Sequence, residues 1–262
     1  MPDRNVKLGD IVLRVRQVNA TGNRTEGRSP VLVFLHDSLG CIETWRDFPQ
    51  RLADRAGLNA LIYDRQGYGQ SSPFGKEART TSYLFEEAEM LFRLLEALAI
   101  ERVVLFGHSD GGSIALIAAA QRPATVTGVI TEGAHVFVEE VTLAGIRQAR
   151  ALLASTNLRE RLTRYHGAKT DSMAAAWIGT WLAPEFRQWN IEACLPLITA
   201  PVLAIQGEDD EYGTQAQVES IVRGVGERAR PLILRETGHT PHREAAEATL
   251  DAVSEFLVSN AK

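Results

Sequence analysis

Residues 103–112 have the sequence VVLFGHSDGG, and this stretch decides the fold. The apolar run at 103–106 predicts a buried strand, and the small and apolar residues at 113–120 predict a helix directly after the glycines. Ser109 lies between them at the tip of a G-x-S-x-G turn, which is the setting of a nucleophile elbow. Glycine neighbours omit the Cβ atoms where strand and helix come close together. We therefore predict that Ser109 is a nucleophile.

Composition limits the classes of protein to which the chain can belong. Its 262 residues, 45% hydrophobic and 23% charged, fit one large α/β domain with an insertion. The net charge of −5 and the lack of a basic cluster argue against a nucleic-acid partner. No apolar run reaches the roughly 18–20 residues of a membrane span, and the N-terminus lacks the apolar core of a signal peptide. We expect a cytoplasmic protein without a membrane partner, whose Cys41 and Cys194 are ordinary thiols.

The apolar pattern predicts the layers of the fold. Alternation at residues 6–18 indicates an exposed antiparallel strand or hairpin. Short apolar runs then alternate with segments of helical spacing, and these runs lie at 30–35, 58–63, 103–106, 127–130, 202–205 and 231–235. This order predicts a mostly parallel central sheet with helices on both faces. Between 137 and 191 only short helical segments occur. We expect residues 1–136 and 192–262 to form an α/β core and 137–191 to form a helical cap, inserted after the sixth strand.

Three reactive residues follow predicted strands. Ser109, Asp210 and His239 come in that order, each where a strand ends. Ligands and reactive groups of open α/β sheets lie beyond the carboxyl ends of the strands, so we expect the three side chains to meet. A serine needs a base to remove its proton during attack, and a carboxylate holds the base in one tautomer.

With these motifs, the chain resembles the α/β-hydrolase fold family over essentially its full length. The matching stretches are 107–112 (GHSDGG), 64–69 (DRQGYG), 207–210 (GEDD) and 238–239 (GH) before the last helix. The resemblance implies an enzyme with a Ser109–His239–Asp210 triad and with no metal or organic cofactor. The family usually has its acid three residues after the glycine that ends the strand, which is Asp210, and Asp209 stays open as the alternative.

The resemblance also implies an oxyanion hole made of two backbone N–H groups. By position the donors are Asp110, directly after the nucleophile, and Ser38, in the loop after the first buried strand. Asp37 stands where the family usually has glycine, so a carboxyl group is added near this hole and near the substrate. We expect the carboxylates of Asp37 and Asp110 to point to solvent.

The cap is expected to contribute the substrate pocket. Trp177 and Trp181 are four residues apart and share one face of a predicted helix. His135 and Phe137 lie where the core continues into the cap, and we include them as substrate-binding candidates. An apolar lining of this kind predicts a small, partly hydrophobic substrate.

These features predict a serine hydrolase that cleaves a small carboxylic ester, lactone or thioester through an acyl-enzyme. Two alternatives stay open: a C–C bond hydrolase of the kind found in aromatic degradation, and a non-catalytic protein that binds a small molecule on the same fold. The expected partner is the small ester or lactone substrate, and the choice between a monomer and a homodimer stays open.

Overall fold

In the computed structural model, the described residues (3–21, 29–75 and 79–260) form an eight-stranded sheet. Its strands are β1 Arg4–Leu8, β2 Ile11–Val18, β3 Val31–Leu35, β4 Ala60–Tyr63, β5 Val103–His108, β6 Val126–Glu132, β7 Val202–Gly207 and β8 Ala229–Leu234. Their order across the sheet is β1-β2-β4-β3-β5-β6-β7-β8. Strand β2 is antiparallel to β1 and β4, and the later neighbours are parallel. The predicted mostly parallel sheet is confirmed.

Helices cover both faces of this sheet, as predicted. They are α1 Phe48–Ala56, α2 Tyr83–Ala97, α3 Asp110–Gln121, α4 Glu140–Ser155, α5 Leu158–His166, α6 Thr170–Leu182, α7 Gln215–Val225, α8 Pro241–Glu244 and α9 Ala246–Ser259. The side chains of α1 and α9 pack on one face, and those of α2, α3 and α7 pack on the other. None of the helices in the described ranges is long and apolar enough to cross a membrane.

The central strand β3 is apolar at every position because both of its faces are buried. In β3, Leu32 and Phe34 pack on the α1–α9 side, whereas Val33 and Leu35 pack on the α2–α3 side. All four side chains are inaccessible to solvent. Such a strand shows a continuous hydrophobic run in the sequence instead of an alternation.

Helices α4, α5 and α6 lie between β6 and β7, after the sixth strand, and two short 3₁₀ helices follow at Pro184–Gln188 and Glu192–Leu197. Phe137 and Asn190 form an isolated antiparallel bridge where the chain enters and leaves this region. Gly145 of α4 lies against the loop after β7, where an added Cβ would come within 2.8 Å of the Glu211 carbonyl oxygen. The glycine therefore lets the helical region approach the loop that follows Asp210.

A buried histidine connects the helical region to the core. His166, the last residue of α5, accepts a hydrogen bond at Nδ1 from the Gly69 N–H (2.9 Å), and its Nε2 lies 3.0 Å from the Leu39 carbonyl oxygen. Because Nδ1 accepts, the ring proton is on Nε2 and is donated to Leu39. The neutral imidazole thus bridges two core loops, one of which leads from β3.

Candidate active site

Ser109 occupies a strained turn between β5 and α3. Its backbone has φ +55° and ψ −120°, in the left-handed region that non-glycine residues rarely adopt. A Cβ at Gly107 would come within 2.1 Å of the Gly111 carbonyl oxygen, and a Cβ at Gly111 would come within 2.0 Å of the Leu35 carbonyl oxygen. Both flanking glycines are thus required by close backbone approach, which is the local geometry expected of a nucleophile elbow.

Asp210 and His239 are directly hydrogen-bonded. His239 Nδ1 lies 2.8 Å from Asp210 Oδ1, and the same oxygen accepts the Tyr212 N–H at 2.8 Å. Asp210 is buried, whereas Asp209 is exposed to solvent. Of the two carboxylates left open by the sequence, the structure brings Asp210 to the imidazole.

This pairing changes the acid–base properties of both groups. Burial by itself would lower the pKa of His239, but the Asp210 carboxylate, with Glu211 and Asp37 further away, raises it above its usual value. Burial would raise the pKa of Asp210, but His239 and the Tyr212 N–H lower it. The pair therefore favours an ionised Asp210 next to an imidazole that accepts a proton readily.

Ser109 and His239 both line a cavity of about 210 Å³ at the carboxyl ends of the strands. Its other lining residues come from the loops after β3, β6, β7 and β8, from the elbow and from the helical region: Asp37, Ser38, Leu39, His108, Asp110, His135, Thr142, Ile146, Trp177, Trp181, Glu211, Tyr212 and Thr240. The wall formed by the helical region is apolar and aromatic, and a cavity of this size fits a small substrate.

The cavity is lined by all but two of the residues predicted from the sequence for the site, and one of the two, Asp210, reaches it only through its hydrogen bond to His239. His135, Trp177 and Trp181 line it together with the oxyanion-loop residues. Phe137 is the other, because it is half-buried against the hydrophobic core beside its bridge to Asn190. Its aromatic ring thus packs at the base of the helical region and not against the cavity.

The two backbone N–H groups predicted as oxyanion donors are both available. Within the described residues, neither the Ser38 N–H nor the Asp110 N–H donates a hydrogen bond to the protein. Asp110 is the first residue of α3, where backbone N–H groups have no partner inside the helix. Both residues line the cavity beside Ser109.

The carboxylate of Asp110 does not point to solvent, contrary to our expectation. It is 1% exposed, its Oδ1 accepts a hydrogen bond from the Tyr83 hydroxyl (3.0 Å), and its Oδ2 lies 3.7 Å from Arg65 Nη2. The Tyr83 oxygen in turn accepts the indole N–H of Trp181 at 2.9 Å. These polar partners make a buried carboxylate favourable at this position.

The Asp37 carboxylate is partly exposed, so the expectation of a solvent-facing group is met only in part. Its side chain is 28% accessible, its Oδ2 accepts the Leu39 N–H at 3.1 Å, and its Oδ1 lies 3.8 Å from His108 Nδ1. Burial lowers the pKa of His108 to about 4. His108 Nε2 in turn lies 2.7 Å from the His239 carbonyl oxygen, so the ring is held between the loops after β3 and β8.

Sequence reasoning missed several residues of the site. Thr142 and Ile146 are four residues apart on α4 and share a helix face, which is a signal that the spacing contains. Tyr212 follows Asp210 by two residues, and its ring centroid lies 4.7 Å from that of His239. No local sequence pattern indicated a role for Tyr83, because its hydrogen-bond partners Asp110 and Trp181 are distant in the sequence.

The charges around the cavity are acidic. None of the lining residues in the described part of the chain is Lys or Arg, whereas Asp37 and Glu211 both contribute carboxylates. Glu211 also accepts the His239 N–H at 3.3 Å. The lining therefore favours an uncharged or cationic substrate group over an anionic one.

Potential metal ligands occur together elsewhere. Side-chain ligand atoms of Cys41, Glu43 and Asp64 lie within 4.8 Å of one another in the described structure. However, the Asp64 oxygens already accept N–H groups of the chain, and Arg14 is paired with Glu43 at 2.6 Å. A guanidinium among these carboxylates supplies the positive charge that a cation would supply.

A profile of the alpha/beta hydrolase family matches residues 32–252. The chain belongs to the alpha/beta hydrolase family. It is 28% identical over 243 residues to the serine hydrolase BPHL of Mus musculus, with 88% of this chain and 80% of that protein covered. It is also 28% identical over 280 residues to a 2-hydroxy-6-oxononadienedioate/2-hydroxy-6-oxononatrienedioate hydrolase of Cupriavidus pinatubonensis, with 96% and 93% covered.

A solved structure supports the same fold. The enol-lactonase from Burkholderia xenovorans LB400 superimposes with a TM-score of 0.77 at 19% identity, with 97% of this alpha/beta hydrolase and all of that chain covered. The family and its named members support hydrolytic activity on a small molecule. The relatives are named for different substrates, so the family alone does not determine which bond is cleaved.

Proposed function

We propose that this alpha/beta hydrolase is a serine hydrolase that cleaves a small carboxylic ester, lactone or thioester. The observation that carries the proposal is the 2.8 Å hydrogen bond between Asp210 and His239, in a cavity that Ser109 also lines from a strained elbow. A nucleophile, a base and an orienting acid are the parts that acyl transfer needs.

In the proposed mechanism, the Ser109 hydroxyl attacks the carbonyl carbon while His239 accepts its proton at Nε2. The N–H groups of Ser38 and Asp110 donate to the oxygen of the tetrahedral intermediate. His239 then returns the proton to the leaving group, which departs as an alcohol or thiol and leaves an acyl-enzyme on Ser109. Water, deprotonated by His239, hydrolyses this ester, while Asp210 holds the imidazole in the tautomer that has its proton on Nδ1.

The charge of the cavity favours ester-type substrates over the C–C bond alternative. The relative from Cupriavidus pinatubonensis is named for a dioate, which is a dicarboxylate substrate. A site for such a substrate needs cationic partners, yet the lining residues described here include Asp37 and Glu211 and neither Lys nor Arg. A neutral acyl group against Trp177 and Trp181 is the better match.

Labelling with a fluorophosphonate tests whether Ser109 is an activated nucleophile. We expect covalent labelling of the wild-type protein and of Ser82→Ala, which changes an exposed serine at the start of α2, and no labelling of Ser109→Ala. Failure of the wild type to react would favour the binding-protein alternative and overturn the proposal.

Turnover of a substrate panel tests the bond type. The panel contains p-nitrophenyl esters of increasing acyl length, small lactones, a thioester and a dienolic dicarboxylate. We expect hydrolysis of short neutral esters or lactones and little turnover of the dicarboxylate, because nothing in the lining pairs with its charges. Preferred cleavage of the dicarboxylate would support the C–C bond alternative. The cytoplasmic location and the oligomeric state stay predictions.

A further inference from the structure

Arg65 is a fully buried arginine directly behind the cavity. It follows β4 by two residues, its side chain is inaccessible to solvent, and it does not line the cavity. Its guanidinium lies over the Tyr68 ring at 4.6 Å from the centroid and 3.7 Å from the Glu87 carboxylate. A buried cation is costly unless acceptors or negative charges compensate for its lost hydration, so its remaining contacts indicate what stabilises it here.

Those contacts are with the loop that carries one proposed oxyanion donor. Arg65 Nη2 donates to the Asp37 carbonyl oxygen at 3.0 Å and to the His36 carbonyl oxygen at 3.3 Å. The Arg65 backbone N–H also donates to His36 Nε2 at 3.0 Å. Because Nε2 accepts, the proton of the neutral His36 ring is on Nδ1, which lies 2.8 Å from the same Asp37 oxygen. The Asp37 carbonyl therefore accepts two hydrogen bonds from buried side chains, besides one from the Gly40 N–H at 3.3 Å.

This carbonyl belongs to the same peptide group as the Ser38 N–H. In a planar trans peptide, the C=O and the N–H point in opposite directions, so fixing the oxygen fixes the direction of the N–H. Donors on the oxygen, one of them charged, also polarise the peptide and strengthen the N–H as a donor. Arg65 and His36 thus fix the Asp37 carbonyl oxygen on one side of the peptide, and the Ser38 N–H on the opposite side faces the cavity.

The same guanidinium is close to the residue that carries the second donor. Arg65 Nη2 lies 3.7 Å from Asp110 Oδ2, and Asp110 is the first residue of α3. One nitrogen thus contacts both sides of the predicted oxyanion hole, which come from separate strands of the sheet.

We propose that Arg65 is a positioning residue for catalysis, which orients and polarises the Asp37–Ser38 peptide so that the Ser38 N–H stabilises the oxyanion. The inference rests on the proposed function, because it assigns a task to the same site. Arg65 acts only through this peptide and through Asp110, and it touches neither the substrate nor the nucleophile.

The test compares ligands that do and do not fill the oxyanion hole. Wild type, Arg65→Lys and Arg65→Gln are assayed with the best p-nitrophenyl ester, with n-butylboronic acid, which forms a tetrahedral adduct on the serine, and with butyramide, which stays trigonal. For Arg65→Gln we expect kcat to fall roughly 10- to 100-fold with little change in KM, since losing a whole oxyanion donor costs about 10²–10³. The boronic acid Ki rises by the same factor, and the butyramide Ki is unchanged.

Arg14→Gln is the matched control. Arg14 is also a buried arginine, and it pairs with Asp3, Glu43 and Asp64 and makes no contact with the Asp37 carbonyl in the described structure. We expect this variant to lose stability in urea unfolding and to keep the wild-type ratio of the two inhibition constants. If Arg65→Gln does not fold, His36→Phe, which removes the other side-chain donor to the same carbonyl, must raise the boronic acid Ki selectively.

The outcomes separate the two proposals. A wild-type protein that hydrolyses no ester and binds no boronic acid would overturn the proposed function itself. An active wild type whose Arg65 and His36 variants fold and keep the boronic acid Ki would overturn the inference alone. Equal weakening of both inhibitors would also overturn it, because a general distortion of the cavity would then explain the loss.

Discussion

Replacing Tyr83 by phenylalanine removes one oxygen atom that joins three parts of the molecule. The hydroxyl donates to the carboxylate of Asp110, the residue after Ser109, at 3.0 Å, and it accepts the indole N–H of Trp181, in the wall of the cavity, at 2.9 Å. Tyr83 itself is buried in the first turn of α2. The substitution leaves the ring in place and changes only these two hydrogen bonds.

The cost follows from the groups left behind. A hydrogen bond to a charged group contributes about 1.5–3 kcal/mol, and a buried N–H without a partner costs about 1–3 kcal/mol. Trp181 is 2% exposed, so water does not replace the lost acceptor at the surface. We expect the free energy of unfolding to fall by about 3 kcal/mol, which in a domain of this size lowers Tm by roughly 6–12 °C.

Tyr63→Phe is the matched control, because Tyr63 is as deeply buried and its hydroxyl has no hydrogen-bond partner among the described residues. Removing that hydroxyl is expected to change stability by less than about 0.5 kcal/mol, or to raise it. Urea unfolding followed by tryptophan fluorescence measures both variants. Equal losses for Tyr83→Phe and Tyr63→Phe would refute the reasoning, because ring burial and not the hydrogen bonds would then account for the effect.

Three further predictions concern titrating groups. Because Asp210 raises the pKa of His239, we expect kcat/KM to decrease as the pH is lowered, with a midpoint above about 6.5 in a pH–rate profile. Asp210→Asn is expected to shift this midpoint to lower pH and to reduce kcat roughly 10⁴-fold. Burial lowers the pKa of His166, so its contribution to stability is lost as pH falls below about 6.5, and His166→Gln is expected to flatten that loss in urea unfolding. Burial raises the pKa of Glu132 to about 8, so stability is lost as pH rises toward that value, and Glu132→Gln, which keeps a donor to His242, is expected to abolish this loss. Curves identical to those of the wild type would contradict each assignment.

The features that the sequence predicted correctly depend on residues that are close together in the chain. Continuous apolar runs predicted the strands, because a strand covered on both faces needs an apolar residue at every position. The elbow at 107–111 was predictable because most of the backbone atoms that exclude a Cβ from its glycines lie within a few residues of Ser109. The exception is the Leu35 carbonyl on the neighbouring strand. Strand ends then brought Asp210 and His239 together through the topology of the sheet.

The features that could not be predicted depend on partners far along the chain. Asp110 looks like a solvent-facing acid in the sequence, and only Tyr83 and Arg65, which are 27 and 45 positions away, make its burial favourable. No periodicity of 2 or 3.6 residues encodes such a contact. The choice between Asp209 and Asp210 was open for the same reason, since neighbours in a carboxylate run differ only in which one reaches His239.

The aspartate at position 37 is accommodated by a glycine three residues later. An added Cβ at Gly40 would come within 2.1 Å of Asp37 Oδ1, so the carboxyl group occupies the space that a side chain at position 40 would need. The loop after β3 thus has its small residue at 40 instead of 37, and its Ser38 N–H stays free to face the cavity. The exchange adds negative charge near His239, which raises the pKa of the base and discourages anionic substrates. We therefore expect the departure from the family pattern at Asp37 to affect which substrate charge is accepted and to leave the Ser38 N–H available as the proposed oxyanion donor.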